Sequence, residues 1–245
     1  VSNNLKIPDF DANLIVSEAE NIAKLSAGMF WNDSVKTVLS VCCNSPELFP
    51  YLRLCNSRSH YITKWLNKYF DGYNNRPSKR TSKKIGTVSD EIIDTILSVR
   101  LPTLSTDGIN HIKDAHRLSM SAENILGLLL EEYLAEKLSF YGWYCAWGET
   151  INKVDFCTNK GELLQVKNRS NSENSSSSSV RKETIIRKWH RVNAKNGVYY
   201  WKKLNQLIGC SDLSEEDFAV FVRQTITENP AALYVESSNY WQQIQ

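Results

Sequence analysis

The sequence lacks the residue spacings that would turn its cysteines and histidines into metal or redox chemistry. Its six cysteines (Cys42, Cys43, Cys55, Cys145, Cys157 and Cys210) contain no CxxC pair, and its four histidines (His60, His111, His116 and His190) complete no zinc signature. Reduced, buried thiols are expected rather than disulfides or structural zinc. Long apolar runs are missing as well. The densest, Ile125 to Leu130, is six residues long and includes Gly127, far short of the roughly 18 that a membrane helix needs. Asp9 and Asp11 stand near the start, without a basic-then-apolar leader pattern. The expectation is a cytoplasmic protein with no membrane contact.

A strong overall charge is also absent, at +2, but the distribution is uneven. From Lys160 to Lys203, eleven Lys or Arg face only Glu162, Glu173 and Glu183, a local excess of +8 that leaves −6 for the rest of the chain. A basic segment in an otherwise acidic protein suits a polyanion, because neutralised phosphates release counterions and drive association. A merely solvated charged face is the plainer alternative.

The chain is rich enough in apolar residues, 42% with 11% aromatic, to build a packed core across 245 residues. Its first 70 residues read as mostly helical. Asp11 is placed to cap a helix bearing Leu14, Ile15, Ala19, Ile22, Ala23 and Leu25, and Val35, Val38, Leu39 and Val41 form a second apolar side before Pro46. Tyr61, Ile62, Trp65, Leu66, Tyr69 and Phe70 recur at helical spacing, which favours core packing over base stacking. Asp71 to Lys84 reads as a basic polar connector, either an arm that closes on DNA or a solvated loop. Ser89 or Asp90 can cap the next helix, with Ile92, Ile93, Ile96 and Leu97 on its apolar side and Pro102 as its stop. A long helix is expected from Ser121 to Phe140, with Gly127 allowing close approach of a neighbour, Glu131 on the apolar side and Glu132 facing solvent. Burying Glu131 would be costly unless it serves a metal, a cation or a hydrogen-bond network.

Three short strands should follow: Trp143 to Trp147, a segment around Asp155, and Leu163 to Lys167. Side chains alternate along a strand, so Gln165 and Lys167 point the same way while Val166 packs behind them. If the last two strands pair as a hairpin, Asp155 joins Gln165 and Lys167 in a compact cluster of acid, amide and amine suited to a divalent metal and a phosphate. Asp155 would anchor Mg²⁺, with Gln165 offering an amide oxygen and Glu131 a second carboxylate. Lys167 would orient or help deprotonate a water and add positive charge at the scissile phosphate. Two negative charges rather than three imply one metal, or a weak second. Beyond Lys167 lie Asn168, Arg169, Asn171, Ser172, Asn174, Ser175 and Ser176, then Arg181 and Lys182, whose hydroxyl, amide and guanidinium groups suit phosphate and base-edge contacts. Ile185, Ile186, Trp189 and Val192 suggest a short amphipathic helix interleaved with Arg187, Lys188 and Arg191. His190 reads as a DNA-facing or structural residue rather than a base.

Helix, strand, Asp strand and Gln-x-Lys strand in this order resemble the PD-(D/E)xK nucleases, as does Asn124-x-x-Gly127-x-x-x-Glu131. Gln165-Val166-Lys167-Asn168-Arg169, the Asn171 to Ser176 stretch and Lys188-Trp189-His190-Arg191 are similar to the SinI-type group of type II restriction endonucleases, most clearly over residues 85–205. The resemblance implies an α/β (α+β) fold with a restriction-endonuclease-like core, a central mixed β-sheet flanked by helices, and a helical N-terminal region. By position it carries over Asp155, Gln165, Lys167 and Glu131 as catalytic, and Asp155, Gln165, Glu131 and the Val166 backbone as metal-holding. It implies Mg²⁺-dependent cleavage of double-stranded DNA at a short palindrome of the GGWCC or GGNCC kind. It also implies a homodimer and a cognate DNA methyltransferase in the same system. Two departures stand out: Val154 replaces the nominal proline and Gln165 an acid, and the second bears on metal number. The expected organisation is 1–84, helical with the basic connector, and 85–245, a nuclease core with a DNA-recognition segment over 168–203, or one integrated domain.

Two other readings compete: a repair-type nuclease of the same fold, and a DNA-binding protein that has kept the fold but not the reaction. An RNA-binding module lacks the aromatic RNP pattern.

Overall fold

Side-chain caps and apolar stripes account for the first three helices of the computed structural model, which describes residues 7–83, 90–170 and 186–243. The Asp11 carboxylate accepts from the N–H groups of Asn13 and Leu14 at 3.0 and 3.1 Å and opens α1 (Ala12–Leu25). Asn32 caps α2 (Asp33–Asn44) through the Val35 N–H, and Ser57 caps α3 (Arg58–Asn74) through the His60 N–H. Such caps satisfy donors that the helix itself leaves unpaired. Pro46 follows α2 in a single 3-10 turn. The aromatic stripe of α3 is internal, as its periodicity predicts: Tyr61, Ile62, Trp65, Leu66, Tyr69 and Phe70 are each at most 3% exposed. Its polar atoms are satisfied, with Trp65 Nε1 donating to the Thr150 carbonyl at 3.0 Å and the Tyr61 hydroxyl to Pro50 at 2.7 Å.

The later elements are α4 (Glu91–Arg100), α5 (Thr106–Ser139), β1 (Trp143–Cys145), β2 (Phe156–Thr158), β3 (Leu163–Arg169), β4 (Ile186–Val192), α6 (Trp201–Ile208), α7 (Glu215–Glu228) and α8 (Tyr240–Gln243). The strands form one sheet in the order β1-β2-β3-β4, antiparallel from β1 to β3 and parallel between β3 and β4. This is a mixed α/β fold with a four-stranded mixed sheet flanked by helices, as expected. The chain gathers into two compact units, one of 1–76 with 130–221 and the other of 77–129 with 222–245. The helical N-terminal segment thus shares its unit with the sheet, and the expected boundary near 84 falls among residues outside the description.

Several expectations are corrected. The segment ending at Val192 is the strand β4, not a helix, because its backbone finds a parallel ladder with β3 and tertiary pairing overrides helical spacing. The long helix begins at Thr106, fifteen residues before Ser121, with the Ser105 hydroxyl accepting the Gly108 N–H at 3.1 Å. A Cβ on Gly127 would meet nothing within 4 Å, so no close neighbour requires that glycine. β1 ends at Cys145 and gives way to a 3-10 turn over Trp147–Glu149. Asp71 to Asn74 belong to α3, and part of the supposed connector is tethered: the Ser82 N–H donates to Ala231 at 2.8 Å, and the Asn229 amide to Pro77 and Arg80 at 2.8 and 2.9 Å.

Helix α3 meets the 3-10 turn backbone to backbone. A Cβ on Gly148 would lie 2.0 Å from the Lys68 carbonyl oxygen, and one on Gly72 2.3 Å from the Gly148 nitrogen. Gly148 has φ 68° and the next residue, Glu149, φ 56°. Gly148→Ala should therefore destabilise the fold by roughly 2–3 kcal/mol or more, from both overpacking and left-handed backbone strain. Chemical denaturation against wild type checks this, with Gly127→Ala as the tolerated control.

Candidate active site

The β2-β3 hairpin brings Asp155 to the Gln-x-Lys strand. Asp155 sits immediately before β2 but is already in the ladder, its N–H donating to Leu164 at 3.0 Å and its carbonyl accepting from Ala146 at 2.8 Å. Its carboxylate Oδ2 accepts the Val166 N–H at 2.6 Å. That bond fixes the carboxylate between the residues flanking Val166 in sequence, Gln165 and Lys167. Gln165 is buried and Lys167 exposed along the same strand.

Glu131 comes to this site from α5. Burial raises its pKa to about 8, with the charge of Asp155 adding to the rise and Lys167 opposing it. Asp155 is raised to about 6, chiefly by burial, against the lowering effects of the Val166 N–H and Lys167. Two carboxylates that resist ionisation together, each within electrostatic reach of one lysine, form a site that a divalent cation would relieve. The oxygen donors available are the Asp155 and Glu131 carboxylates, the Gln165 amide and the Val166 carbonyl. They suit a hard cation. Among the described residues no three or more His, Cys, Asp or Glu gather as a metal cage.

The sequence reading missed Glu149. Its charge raises the pKa of both Glu131 and Asp155, and Lys68 of α3 lies 3.8 Å from its carboxylate. Nothing local in Trp147-Gly148-Glu149 announces this, since the placement comes from the packing of Gly148 on α3. The reading of Glu132 is corrected: it is buried, 2% exposed, and paired with Arg76 at 3.2 Å. Arg76 also lies 4.0 Å from the centre of the Tyr73 ring.

On β4, residues in register share a face with their β3 partners, so Lys188 stands beside Gln165 and His190 beside Lys167. His190 packs edge-on to Tyr200 at 4.9 Å, and burial, then Lys203, lower its pKa. Arg187 is ion-paired with Glu162 at 3.1 Å. Asn168 and Arg191, expected against DNA, face the other side of the sheet. Arg191 is buried, donates from Nε to Asn168 Oδ1 at 2.9 Å and pairs with Glu215. Arg169 is exposed at the end of β3. Asn171, Ser172, Asn174, Ser175, Ser176, Arg181 and Lys182 lie outside the described residues. All six cysteines are free thiols, and no helix among the described residues is long and apolar enough to cross a membrane.

Comparison with known proteins converges on this stretch. The family model described as SinI restriction endonuclease matches residues 53–228, extending the resemblance read from sequence to include α3 and α7. The chain is 34% identical over 203 residues to the type II restriction enzyme Eco47I of Escherichia coli, covering 71% of this chain and 88% of that protein. It is 43% identical over 141 residues to the type II restriction enzyme SinI of Salmonella infantis, covering 56% of this chain and 61% of that relative.

The two shifted carboxylates make opposite predictions for metal and for stability. Divalent-cation affinity should rise from about pH 6 to about pH 8 as both ionise, and Glu131→Gln should flatten the upper part of that rise, read by calorimetric titration. Metal-free stability runs the other way. Folded-state pKa values above the ordinary carboxylate range give a contribution that is full below about pH 4 and is lost as pH rises through about 6 and then 8. The melting temperature of the metal-free protein should fall over that window, and fall less in Glu131→Gln.

Proposed function

The chain belongs to the SinI restriction endonuclease family, and from that membership we propose that the Asp155 cluster cuts both strands of DNA at a short palindrome with Mg²⁺. The enzyme is a type II restriction enzyme, a site-specific deoxyribonuclease. The observation that carries the proposed site is the bond from the Val166 N–H to Asp155, with Lys167 acting on that carboxylate and that carboxylate in turn raising the pKa of Glu131. Asp155, Glu131, the Gln165 amide oxygen and the Val166 carbonyl would hold Mg²⁺. Bound there, the ion supplies positive charge to the phosphate oxygens and lowers the pKa of a coordinated water.

The chain's own groups do the rest. Lys167 holds the attacking water by a hydrogen bond and sets a fixed positive charge where the phosphate gains negative charge. Asp155 keeps its orientation because Val166 N–H engages one carboxylate oxygen and leaves the other for a ligand. Gln165, neutral where the superfamily pattern has an acid, limits the site to two carboxylate ligands and so to one strongly held ion. The exposed Arg169 and Lys188, with the 171–185 segment, lie downstream of the site and are assigned to DNA contact. A recognition sequence of the GGWCC or GGNCC kind, a homodimer matching its two-fold symmetry and a protective methyltransferase complete the proposal.

Purified enzyme incubated with unmethylated phage DNA should give discrete fragments in Mg²⁺ and none in EDTA. Sequencing their ends reads the site. Lys167→Ala should lower the cleavage rate by roughly 10²- to 10⁴-fold while DNA binding in EDTA is retained. Intact DNA from wild type in Mg²⁺, with binding retained, would overturn the catalytic reading in favour of a non-cutting DNA-binding protein.

A further inference from the structure

Helix α4 carries its apolar stripe on the side away from its own support. Asp94 faces the body of its unit, where Lys113 of α5 reaches it at 2.9 Å, and Leu97 beside it is half-buried. At about 100° per residue, Ile92, Ile96 and Val99 fall on the opposite side of the helix. They are 62%, 59% and 77% exposed, and Ile93 flanks them at 45%. No residue of α4 is buried. An ordinary surface helix turns such a stripe inward, and spacings of four and then three residues are those of the seam between two helices. A contiguous exposed stripe of large aliphatic side chains marks a surface that another molecule covers.

We propose that the occupant is the α4 helix of a second copy, antiparallel about a two-fold axis passing near Thr95 and Ile96. The proposal rests on the reading of the enzyme as a two-fold dimer on a palindromic site, and it names the surface. Self-complementarity is the first argument. Reversing α4 about its middle sets Ile92 opposite Val99 and Ile96 beside its own counterpart, so the same patch serves both chains, as an isologous contact requires. Charge is the second. α4 begins with Asp90 and Glu91 and ends with Arg100. Antiparallel pairing brings the acidic start of each helix level with the basic end of the other and opposes the two helix dipoles. A parallel pairing would instead set Arg100 against Arg100 and Glu91 against Glu91.

Size limits the strength of this contact. A ten-residue helix is about 15 Å long, so α4 alone falls short of the roughly 800 Å² per partner of a standard interface. It supplies the apolar centre of the contact, and free chains should associate only in the micromolar range, on the order expected of a small interface. A duplex with two half-sites would hold the two copies together.

Two measurements on the full chain test the proposal. In a Cys55→Ser/Cys210→Ser background, which leaves only buried thiols, Ile96→Cys should be joined to its counterpart by a short bismaleimide linker, and Ser98→Cys, off the stripe, should not. Sedimentation over a concentration series should show wild-type dimer, with the dissociation constant of Ile96→Asp raised about tenfold or more. The same variant should nick supercoiled plasmid at concentrations where wild type linearises it. Ile96 is exposed, so the thermal unfolding of the variant should match wild type. A wild type that stays monomeric alone, with one chain per duplex on target DNA, would overturn the dimer reading and this surface with it. A wild-type dimer undisturbed by Ile96→Asp, with no linking through Cys at 96, would overturn the α4 assignment and leave the dimer reading standing.

Discussion

The arrangement of the candidate site depends on one hydrogen bond, from the Val166 N–H to the carboxylate of Asp155 at 2.6 Å. It joins the residue before β2 to the middle of β3 in addition to the ladder bond from Asp155 N–H to Leu164. The register of the hairpin and the orientation of the acid are therefore one constraint. A slip of one residue would send Gln165 and Lys167 to the other face and turn the Val166 side chain toward the site. The bond also costs the backbone nothing, because Val166 N–H would otherwise need another acceptor in a buried strand.

Two adjacent glutamates on α5 show how helix rotation assigns roles. Glu131 enters the site, where burial and the charge of Asp155 hold its pKa near 8. Glu132, about 100° further round the helix, is buried against Arg76 at 3.2 Å. A paired and buried carboxylate is tolerated where an isolated one would not be. Arg76, stacked over Tyr73 at the end of α3, thus ties the N-terminal helices to the helix that delivers Glu131. Gly72 and Gly148 make a second tie from α3, to the turn that carries Glu149. Through these contacts the N-terminal helices belong to the architecture of the site.

Much of this was legible in the chain. Asp11 and Asp90 cap helices as their positions suggested, and the α3 aromatics are core because their spacing repeats with the helix. Asp155 and Val166 meet because a short Gly161-containing turn leaves a hairpin little choice. What could not be read has a common cause. β4 has helical apolar spacing and becomes a strand only because β3 offers a parallel edge. Arg191 looks like a DNA-facing cation in a basic run, yet alternation on β4 turns it inward to Asn168 and Glu215. The apolar side of α4 is legible in its spacing, but only the packed structure places it outside.

The sequence by itself determined the meeting of Asp155 with the Gln165-Val166-Lys167 strand, the helix-then-strands order and the family, because these rest on local spacing: two-residue alternation along a strand, caps one turn from the donors they satisfy, and a turn too short for any pairing but a hairpin. Tertiary structure alone decided which charges are internal, that Glu149 adds its field to the site, and that α4 shows its isoleucines to solvent. Those outcomes depend on which surfaces meet across long sequence separations, and a residue's own neighbours in the chain carry no record of that.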